Sequence, residues 1–549
     1  MTATGALGLL VLIAASCAIS ALASRHRLPA PILLVLAGLA GSFLPGATEF
    51  RLNPTFVLIG VLPPLVYSAA LERSFLSLRD NIRTLALLSV GLVLFTVVAV
   101  AATTAAAVPG VSLAVALTLG AIVAPTDAVT VASIGRRLRL PARLLTVISG
   151  ESMVNDGTGL TAYQVAIGAA AGAGLSVLAV SGSFLVIAAG GVAVGLALAV
   201  TVQALRQRLK DPLAESAASL LVPFAAYLIA DAIGVSGVLA VVVAALYLGH
   251  HAGHSHFATR LQDMAVWRVT VFVLEAVTFA LIGLQLRPVL HQLGHRDPGR
   301  LAAEAALVLG AVIVSRIAWV FPAIYLPRLS RRIRDRDPSP PWQVTVVLSW
   351  AGMRGVISLV AAFALPVSFP QRDLLQFLTF CVVLGTLLVQ GLTLPALIQR
   401  LGVITGPDEE IAAARTEAVA QQAASEAGLR RLEELARQPG PGGGLPDPQV
   451  VDRLRRLSAL QQYAAWERLP AGAPGGGHHR SGSGSGAGQG GHNPPSATFR
   501  RLRQEMTAAE RVAFISLRDQ RAISDQVLDR VLRDLDLEEA ILSRETWEE

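Results

Sequence analysis

Apolar stretches of about 20 residues alternate with short polar segments from the N-terminus to about residue 402. Stretches of this length and composition are typical of helices that cross a lipid bilayer. They predict about 13 spans, with approximate limits 4–23, 29–46, 54–71, 84–107, 112–135, 142–170, 181–205, 213–231, 234–249, 266–286, 301–326, 342–366 and 373–400. The first stretch, MTATGALGLLVLIAA, lacks the basic start of a signal peptide, so we interpret it as a span. The sequence therefore predicts an all-α polytopic membrane domain over residues 1–404.

The pattern changes after Thr405, where long apolar stretches cease. Charged segments of helical character cover 407–437 and 450–468, and an amphipathic helical pattern returns over 499–546. The segment 470–496 is rich in Gly, Pro and Ser, which predicts a disordered linker. We therefore interpret 405–549 as a cytoplasmic C-terminal tail, which is either a solvated appendage or a segment that regulates the protein or contacts the other subunit of a dimer.

Arginine placement predicts the orientation of the spans. The chain of 549 residues is 53% hydrophobic and 15% charged, with a formal net charge of +7. Its arginines concentrate in every second loop, with Arg25 and Arg27, then Arg73, Arg79 and Arg83, then Arg136, Arg137, Arg139 and Arg143, then Arg206 and Arg208, and finally Arg328, Arg331, Arg332, Arg334 and Arg336. Since arginine-rich loops face the cytoplasm, the N-terminus is predicted outside and the tail inside. The basic excess thus belongs to membrane loops and gives no support to nucleic-acid binding.

Two spans in corresponding positions are interrupted near their middles. Spans 1–6 and 8–13 are predicted to form inverted repeats with span 7 between them. The fifth span of the first half carries Pro125, Thr126 and Asp127, and its counterpart carries Arg354 between two glycines. Paired interruptions of this kind predict a binding site where the broken helices cross at mid-membrane. There, Asp127 either neutralises a helix N-terminus or binds an ion, and Arg354 neutralises helix C-terminal carbonyls or pairs with an acid.

The candidate chemistry consists of carboxylates at membrane depth. Asp127 and Asp156 each lie within an apolar span, where a charge is costly and is therefore rarely without a function. Ser152, Asn155 and Asp156 follow the spacing i, i+3, i+4, which places them on one helix face. Together with Thr126 they offer hard oxygen ligands, which suit a small monovalent cation or a proton.

Several blocks of the sequence resemble those of the first family of monovalent cation:proton antiporters, which includes the sodium/hydrogen exchangers. The blocks are LPPLVYSAAL (62–71), APTDAV (124–129), GESMVNDGTGL (150–160), GVSGVLAVV (234–242), FALIGLQL (279–286), SRIAWVF (315–321) and WAGMRGVISLVAAFALP (350–366). The resemblance implies 13 spans, a homodimer in the plasma membrane, and a core domain that moves against a dimerisation domain.

The resemblance also assigns roles to individual residues. It implies that Asp156 carries the ion and the proton, and that Thr126, Asp127 and Ser152 belong to the Na⁺ site. It further implies two structural ion pairs, Glu151 with Arg316 and Arg354 with an acid such as Glu275. The chain departs from the family at Ser68, where an acid is usual.

A single buried carboxylate couples two ligands if they compete for it. Because burial disfavours the charged form, sodium must displace a proton to bind, and a returning proton displaces sodium. The bare anion does not cross, so exchange is obligatory. With Asn155 beside Asp156 instead of a second acid, and Lys210 as the only lysine, we expect electroneutral exchange of one cation for one proton without a cofactor.

Other classes of protein fit the sequence less well. Potassium/proton exchange remains open, because a site of hard oxygens suits either ion. A cation channel would need a filter-like segment, which the sequence does not show. An intramembrane aspartyl protease would need two carboxylates that share a proton, and its Gly-x-Gly-Asp block is not found; we therefore expect no enzymatic activity. The histidines at 250, 251, 254 and 256 suit a solvated loop, with metal binding or pH sensing as alternatives.

Overall fold

The structure is a computed structural model. The chain forms two units. The structure describes residues 3–26, 28–44, 54–71, 73, 75–170, 177–209, 211–254, 256–293, 296–337, 339–439, 445–467 and 497–543. The first unit comprises Met1–Ala252 and Gln262–Ile404, and the second comprises Gly253–Leu261 and Thr405–Glu549. The predicted linker 470–496 lies outside the described residues.

Helices make up the first unit, and its described residues contain no β-strand. The helices are α1 (Ala3–Arg25), α2 (Ala30–Gly41), α3 (Val57–Leu71), α4 (Ile82–Ala107), α5 (Leu113–Val123), α6 (Ala128–Arg137), α7 (Ala142–Gly168), α8 (Val177–Arg206), α9 (Pro212–Ile233), α10 (Gly237–His251), α11 (Phe257–Leu284), α12 (Pro298–Tyr325), α13 (Trp342–Trp350), α14 (Val356–Phe363) and α15 (Arg372–Leu401).

The helices account for the predicted crossings of the membrane. In the described part of the chain, eight helical stretches are long and apolar enough to span a bilayer, with α5 and α6 forming one of them. Three more, α2, α3 and α10, are apolar but shorter. Two further predicted spans correspond to α7, which carries polar residues along its middle, and to the interrupted pair α13–α14. This agrees with the predicted all-helical fold of about 13 spans with two broken helices.

Buried apolar side chains of the first unit form two clusters. The larger one draws on α4, α5, α12, α14 and α15, and the smaller one on α3, α8, α9 and α10. Helix α7 contributes to both, with Val147 and Ile148 in the larger cluster and Met153 in the smaller. The helix that carries Asp156 therefore lies where the two clusters meet.

Small residues allow the helices within each cluster to approach closely. A Cβ atom added to Gly120 on α5 would lie 2.5 Å from the carbonyl oxygen of Val97 on α4. In the smaller cluster, a Cβ atom at Gly195 would lie 2.4 Å from the carbonyl oxygen of Ala240. Such contacts are typical of helices packed in a membrane, where van der Waals contact drives association.

The second unit consists mainly of four helices, α16 (Pro407–Ala436), α17 (Pro448–Glu467), α18 (Ala497–Asp519) and α19 (Asp525–Ser543). Two small apolar clusters hold them together, one around Phe514 and Leu528 and the other around Leu432 and Met506. Arg503, with a side chain 1% exposed, pairs with Glu510 and Glu538. The tail predicted from the sequence thus has a folded part with its own core, and residues Gly253–Leu261 belong to it.

Candidate ion-binding site

The first helix break separates α5 from α6 at residues 124–127. Pro125 lacks an amide hydrogen, which prevents the helix from continuing through this point. Asp127 is the N-cap of α6, and its carboxylate accepts hydrogen bonds from the amide of Val129 (3.1 Å) and the hydroxyl of Thr130 (3.3 Å). The structure therefore gives Asp127 a helix-capping role, which was one of the two alternatives, and each of its carboxylate oxygens accepts one hydrogen bond and keeps a lone pair for a second ligand.

The second break separates α13 from α14 at residues 351–355 and lies directly against the first. The amide of Asp127 donates to the carbonyl oxygen of Met353 at 2.8 Å. A Cβ atom at Gly355 would lie 2.7 Å from that of Asp127, so only glycine allows this approach. The two interrupted helices therefore cross at their breaks, as expected.

Arg354 is fully buried and is bound by backbone carbonyls. Its Nε donates to the carbonyl oxygen of Val123, at the C-terminal end of α5, at 2.6 Å, and its Nη1 donates to that of Gly352, also at 2.6 Å. This differs from the pair with Glu275 that the resemblance implied. The guanidinium instead neutralises carbonyls that the helix breaks leave without amide partners.

Polar side chains on α7 hold the first break in place. Ser152 Oγ donates to the carbonyl oxygen of Thr126 at 2.7 Å and accepts from the amide of Ala128 at 3.1 Å. Asn155 Nδ2 donates to the hydroxyl of Thr126 at 2.6 Å. The spacing i, i+3 thus brings both Ser152 and Asn155 to Thr126 in the break, and Ser152 also reaches the first amide of α6.

Asp156 lies beside this network without joining it. Its side chain is buried, with 6% of the residue exposed. Among the described residues, no hydrogen bond or ion pair to its carboxylate is found, and the neighbouring oxygen Asn155 Oδ1 is buried and has no hydrogen-bond partner. A carboxylate and an amide oxygen are therefore left to bind a cation or, at the carboxylate, a proton.

Glu151 forms a buried ion pair with Arg316, and both side chains are 1% exposed. Arg316 Nη2 donates to a carboxylate oxygen of Glu151 at 3.0 Å and to the carbonyl oxygen of Leu348 at 3.1 Å. The hydroxyl of Thr126 also donates to Glu151, at 3.3 Å. The pair thus joins α7, α12 and the last turn of α13, next to Thr126 of the first break.

A cavity of about 130 Å³ lies along α7 beyond Asp156. Leu160 and Tyr163, at i+4 and i+7 from Asp156, line it together with Asp231 and Ser236. The hydroxyl of Tyr163 is buried and without a hydrogen-bond partner. The sequence analysis did not identify this cavity, although the i+7 spacing of Tyr163 was a signal for it.

Comparisons with known proteins agree with this fold. A family model described as "Sodium/hydrogen exchanger, transmembrane" matches residues 11–400. An uncharacterized Na⁺/H⁺ exchanger of Mycobacterium bovis is 33% identical, over 97% of this chain and 96% of its own. The Na⁺/H⁺ antiporter ApNhaP of Aphanothece halophytica is 32% identical, over 75% of this chain and 77% of its own.

A solved structure shares the fold at lower identity. The sodium proton antiporter MjNhaP1 of Methanocaldococcus jannaschii matches with a TM-score of 0.57 and 19% identity, covering 71% of this chain and all of that one. The family model matches most of the chain, including both helix breaks. The chain therefore belongs to the sodium/hydrogen exchanger family of membrane transporters and not to a family of enzymes.

Proposed function

We propose that the chain exchanges a monovalent cation, Na⁺ in the first place, for H⁺ across the plasma membrane, and that it serves pH and sodium homeostasis. The single observation that carries this proposal is the carboxylate of Asp156, which is buried and without a hydrogen-bond partner among the described residues. An unpaired carboxylate in this position must be neutralised by a cation or a proton, because a bare charge away from water is costly.

Competition for Asp156 provides the coupling. The cation is bound by Asp156 and Asn155 Oδ1, with Ser152 and Thr126 adding hydroxyl oxygens and Asp127 adding negative charge nearby. Because the residue next to Asp156 is an amide and not a second acid, only one carboxylate takes up and releases a proton in each cycle. One cation is therefore exchanged for one proton, which makes the exchange electroneutral. No cofactor is required.

Alternating access follows from the position of α7 between the two apolar clusters. We propose that the helices of the larger cluster move with α7 past those of the smaller cluster in an elevator-type movement, which exposes Asp156 to each side in turn. In keeping with the resemblance, we propose a homodimer with the N-terminus outside and the tail in the cytoplasm.

A proteoliposome assay tests the role of Asp156. A pH gradient is imposed, internal pH is read with a dye, and NaCl, KCl or LiCl is added. We expect Asp156→Asn to abolish exchange with every salt, because the amide cannot bind or release a proton. The matched control is Asp297→Asn, since Asp297 caps α12 and Asn caps a helix equally well. Full exchange by Asp156→Asn would disprove the assignment.

Potassium/proton exchange is the second candidate. A relative in Bacillus pumilus, 28% identical over 68% of this chain, is named a sodium, potassium, lithium and rubidium/H⁺ antiporter. In the same assay, equal rates with KCl and NaCl would favour this broader selectivity. Rates that change with an imposed potassium/valinomycin potential would contradict electroneutral exchange.

A further inference from the structure

Three arginines from different parts of the first unit converge on Asp337, between α12 and α13. Arg83 Nη2 lies 3.0 Å and Arg328 Nη2 2.6 Å from one carboxylate oxygen, and Arg143 Nη2 lies 2.6 Å from the other. Arg143 also contacts Asn81 Oδ1 through Nε and Nη2, both at 3.3 Å. This cluster, called here the Asp337 cluster, joins the start of α4, the start of α7 and the end of α12.

The Asp337 cluster carries more positive than negative charge. Burial alone would raise the pKa of Asp337, but the hydrogen bond from Arg143 and the charges of Arg328, Arg143 and Arg83 together hold that pKa below its ordinary value. Asp337 therefore remains charged at neutral pH, and one negative charge faces three positive ones. The side chain of Arg143 is 59% exposed and that of Arg83 is 36% exposed, so both can accept a further anion.

Large apolar side chains lie exposed next to these charges in the chain. Leu326 and Leu329, on either side of Arg328, are 65% and 77% exposed, and Ile82, next to Arg83, is 64% exposed. Trp342, at the start of α13, is 57% exposed. Apolar side chains and an amphipathic aromatic ring beside arginines are typical of the boundary between the acyl chains and the headgroups of a bilayer.

Further basic residues follow on the same loop. Arg331, Arg332 and Arg334 lie on a short helix, Arg331–Arg336, and are exposed. This short helix begins six residues after Tyr325, the last residue of α12, and α12 is long enough to cross a membrane. Clusters of arginines directly beyond a membrane-spanning helix attract anionic lipids.

We propose that the Asp337 cluster binds the headgroup of an anionic phospholipid. Arg83 and Arg143 bind the phosphate, for which a guanidinium supplies paired donors. Leu326, Leu329 and Ile82 contact the acyl chains of the same lipid, which explains their exposure beside a charged cluster. A lipid bound here holds together the ends of α4, α7 and α12, including the helix that carries Asp156, whichever cation is transported.

The test compares the full chain in nanodiscs of phosphatidylcholine alone with nanodiscs that also contain phosphatidylglycerol. Thermal unfolding and native mass spectrometry report stabilisation and retained lipid. We expect phosphatidylglycerol to raise the melting temperature of the wild type by several degrees and to remain bound to it. The double variant Arg83→Gln, Arg143→Gln should lose most of the rise and most of the retained lipid.

Two further variants separate lipid binding from a purely structural role. Arg300→Gln removes an exposed arginine at the other end of α12 and should keep the full effect of phosphatidylglycerol. Asp337→Asn removes the competing acid, so it should lower stability in phosphatidylcholine but retain or increase lipid binding and regain stability in phosphatidylglycerol. A structural cluster without lipid would instead leave Asp337→Asn equally unstable in both bilayers.

Each contrary result overturns the proposal. If the double variant keeps the full stabilisation by phosphatidylglycerol, the lipid binds elsewhere. If inorganic phosphate in phosphatidylcholine nanodiscs reproduces the rise in melting temperature, the occupant is a free anion and not a lipid. If Asp337→Asn loses retained lipid together with the arginine variant, the arginines serve only to hold the fold.

Discussion

At the level of single residues, Gly159 packs closely against Pro125 in the first helix break. A Cβ atom at Gly159 would lie 2.3 Å from Pro125 Cγ and 2.9 Å from its Cδ. The proline ring is rigid, so Gly159→Ala must push α7 away from the break that carries Thr126 and Asp127. We expect the free energy of unfolding to fall by about 1–3 kcal/mol, as is usual for overpacking, and the exchange rate to fall with it.

The matched control for Gly159 is on the same helix. Gly168, at the end of α7, has open space where a Cβ atom would go. Gly168→Ala should therefore leave exchange unchanged and alter stability by no more than about 1 kcal/mol, in the stabilising direction. Thermal unfolding in detergent and the proteoliposome assay measure both variants; equal behaviour of the two would contradict the close contact at Pro125.

The sequence predicted which residues form the site better than it predicted their hydrogen-bond partners. The spacing of Ser152, Asn155 and Asp156 was sufficient to place them on one helix face. That Asp127 caps its own helix, and that Arg354 binds Val123 and Gly352 carbonyls, depends on the backbone path through the two breaks. Neither local propensity nor hydropathy determines that path, because the backbone of each break depends on its contacts with the other interrupted helix.

At the scale of helices, the Glu151–Arg316 pair fixes α7 to α12. A Cβ atom at Gly352 would lie 2.2 Å from Arg316 Cδ, so the arginine passes directly across the second break to reach Glu151. Glu151→Gln leaves the Arg316 charge buried and uncompensated, which we expect to lower stability by about 3–5 kcal/mol. Adding Arg316→Met should restore most of that loss, because the buried charge is then gone.

An ion pair on the same helix provides the comparison. Arg300 is 56% exposed and pairs with Glu304 one turn further along α12. Although the side chain of Glu304 is only 10% exposed, solvent reaches Arg300 and screens the pair, so Glu304→Gln should cost about 1 kcal/mol, less than Glu151→Gln. Stability is measured by thermal unfolding of each variant. A double variant of Glu151 and Arg316 that is no more stable than Glu151→Gln would show that the hydrogen bonds to Leu348, and not the charge, dominate.

Hydropathy predicted the helices themselves closely. The expected spans 142–170 and 373–400 correspond to α7 (Ala142–Gly168) and α15 (Arg372–Leu401). The span expected at 112–135, with an interruption near its middle, is divided into α5 and α6 with four residues between them. Proline and glycine indicated both interruptions, but the number of residues in each break follows from tertiary contacts such as the hydrogen bond from Asp127 to Met353.

At the scale of the whole molecule, the tail unit includes part of the chain that lies between two membrane helices. Residues Gly253–Leu261, which connect α10 to α11 and include its first turn, belong to the second unit. Within that unit Arg260 pairs with Asp536 on α19, whose side chain is 2% exposed, and Arg511 pairs with Asp536 and with Glu539. The sequence predicted a tail beyond residue 405 but gave no signal for this connection, because the two segments lie far apart in the chain.

This connection predicts how the tail influences transport. Cutting the chain at about Gly406 should leave exchange intact, because every residue of the ion site precedes that point, but it should shift the pH profile of the exchange rate.

If the tail acts through the α10–α11 connection, Asp536→Asn should reproduce that shift in the full-length chain, since the amide cannot neutralise Arg260. Glu539→Gln is the matched control, because Glu539 lies on the same helix and pairs with Arg511, which Asp536 also contacts. The initial rate of sodium-driven change in internal pH, measured from pH 6 to pH 9 in proteoliposomes, tests the four proteins together. If the truncated chain has a shifted pH profile and Asp536→Asn does not, the tail acts through other contacts. If Glu539→Gln also shifts the profile, the effect comes from the overall charge of α19 and not from Asp536.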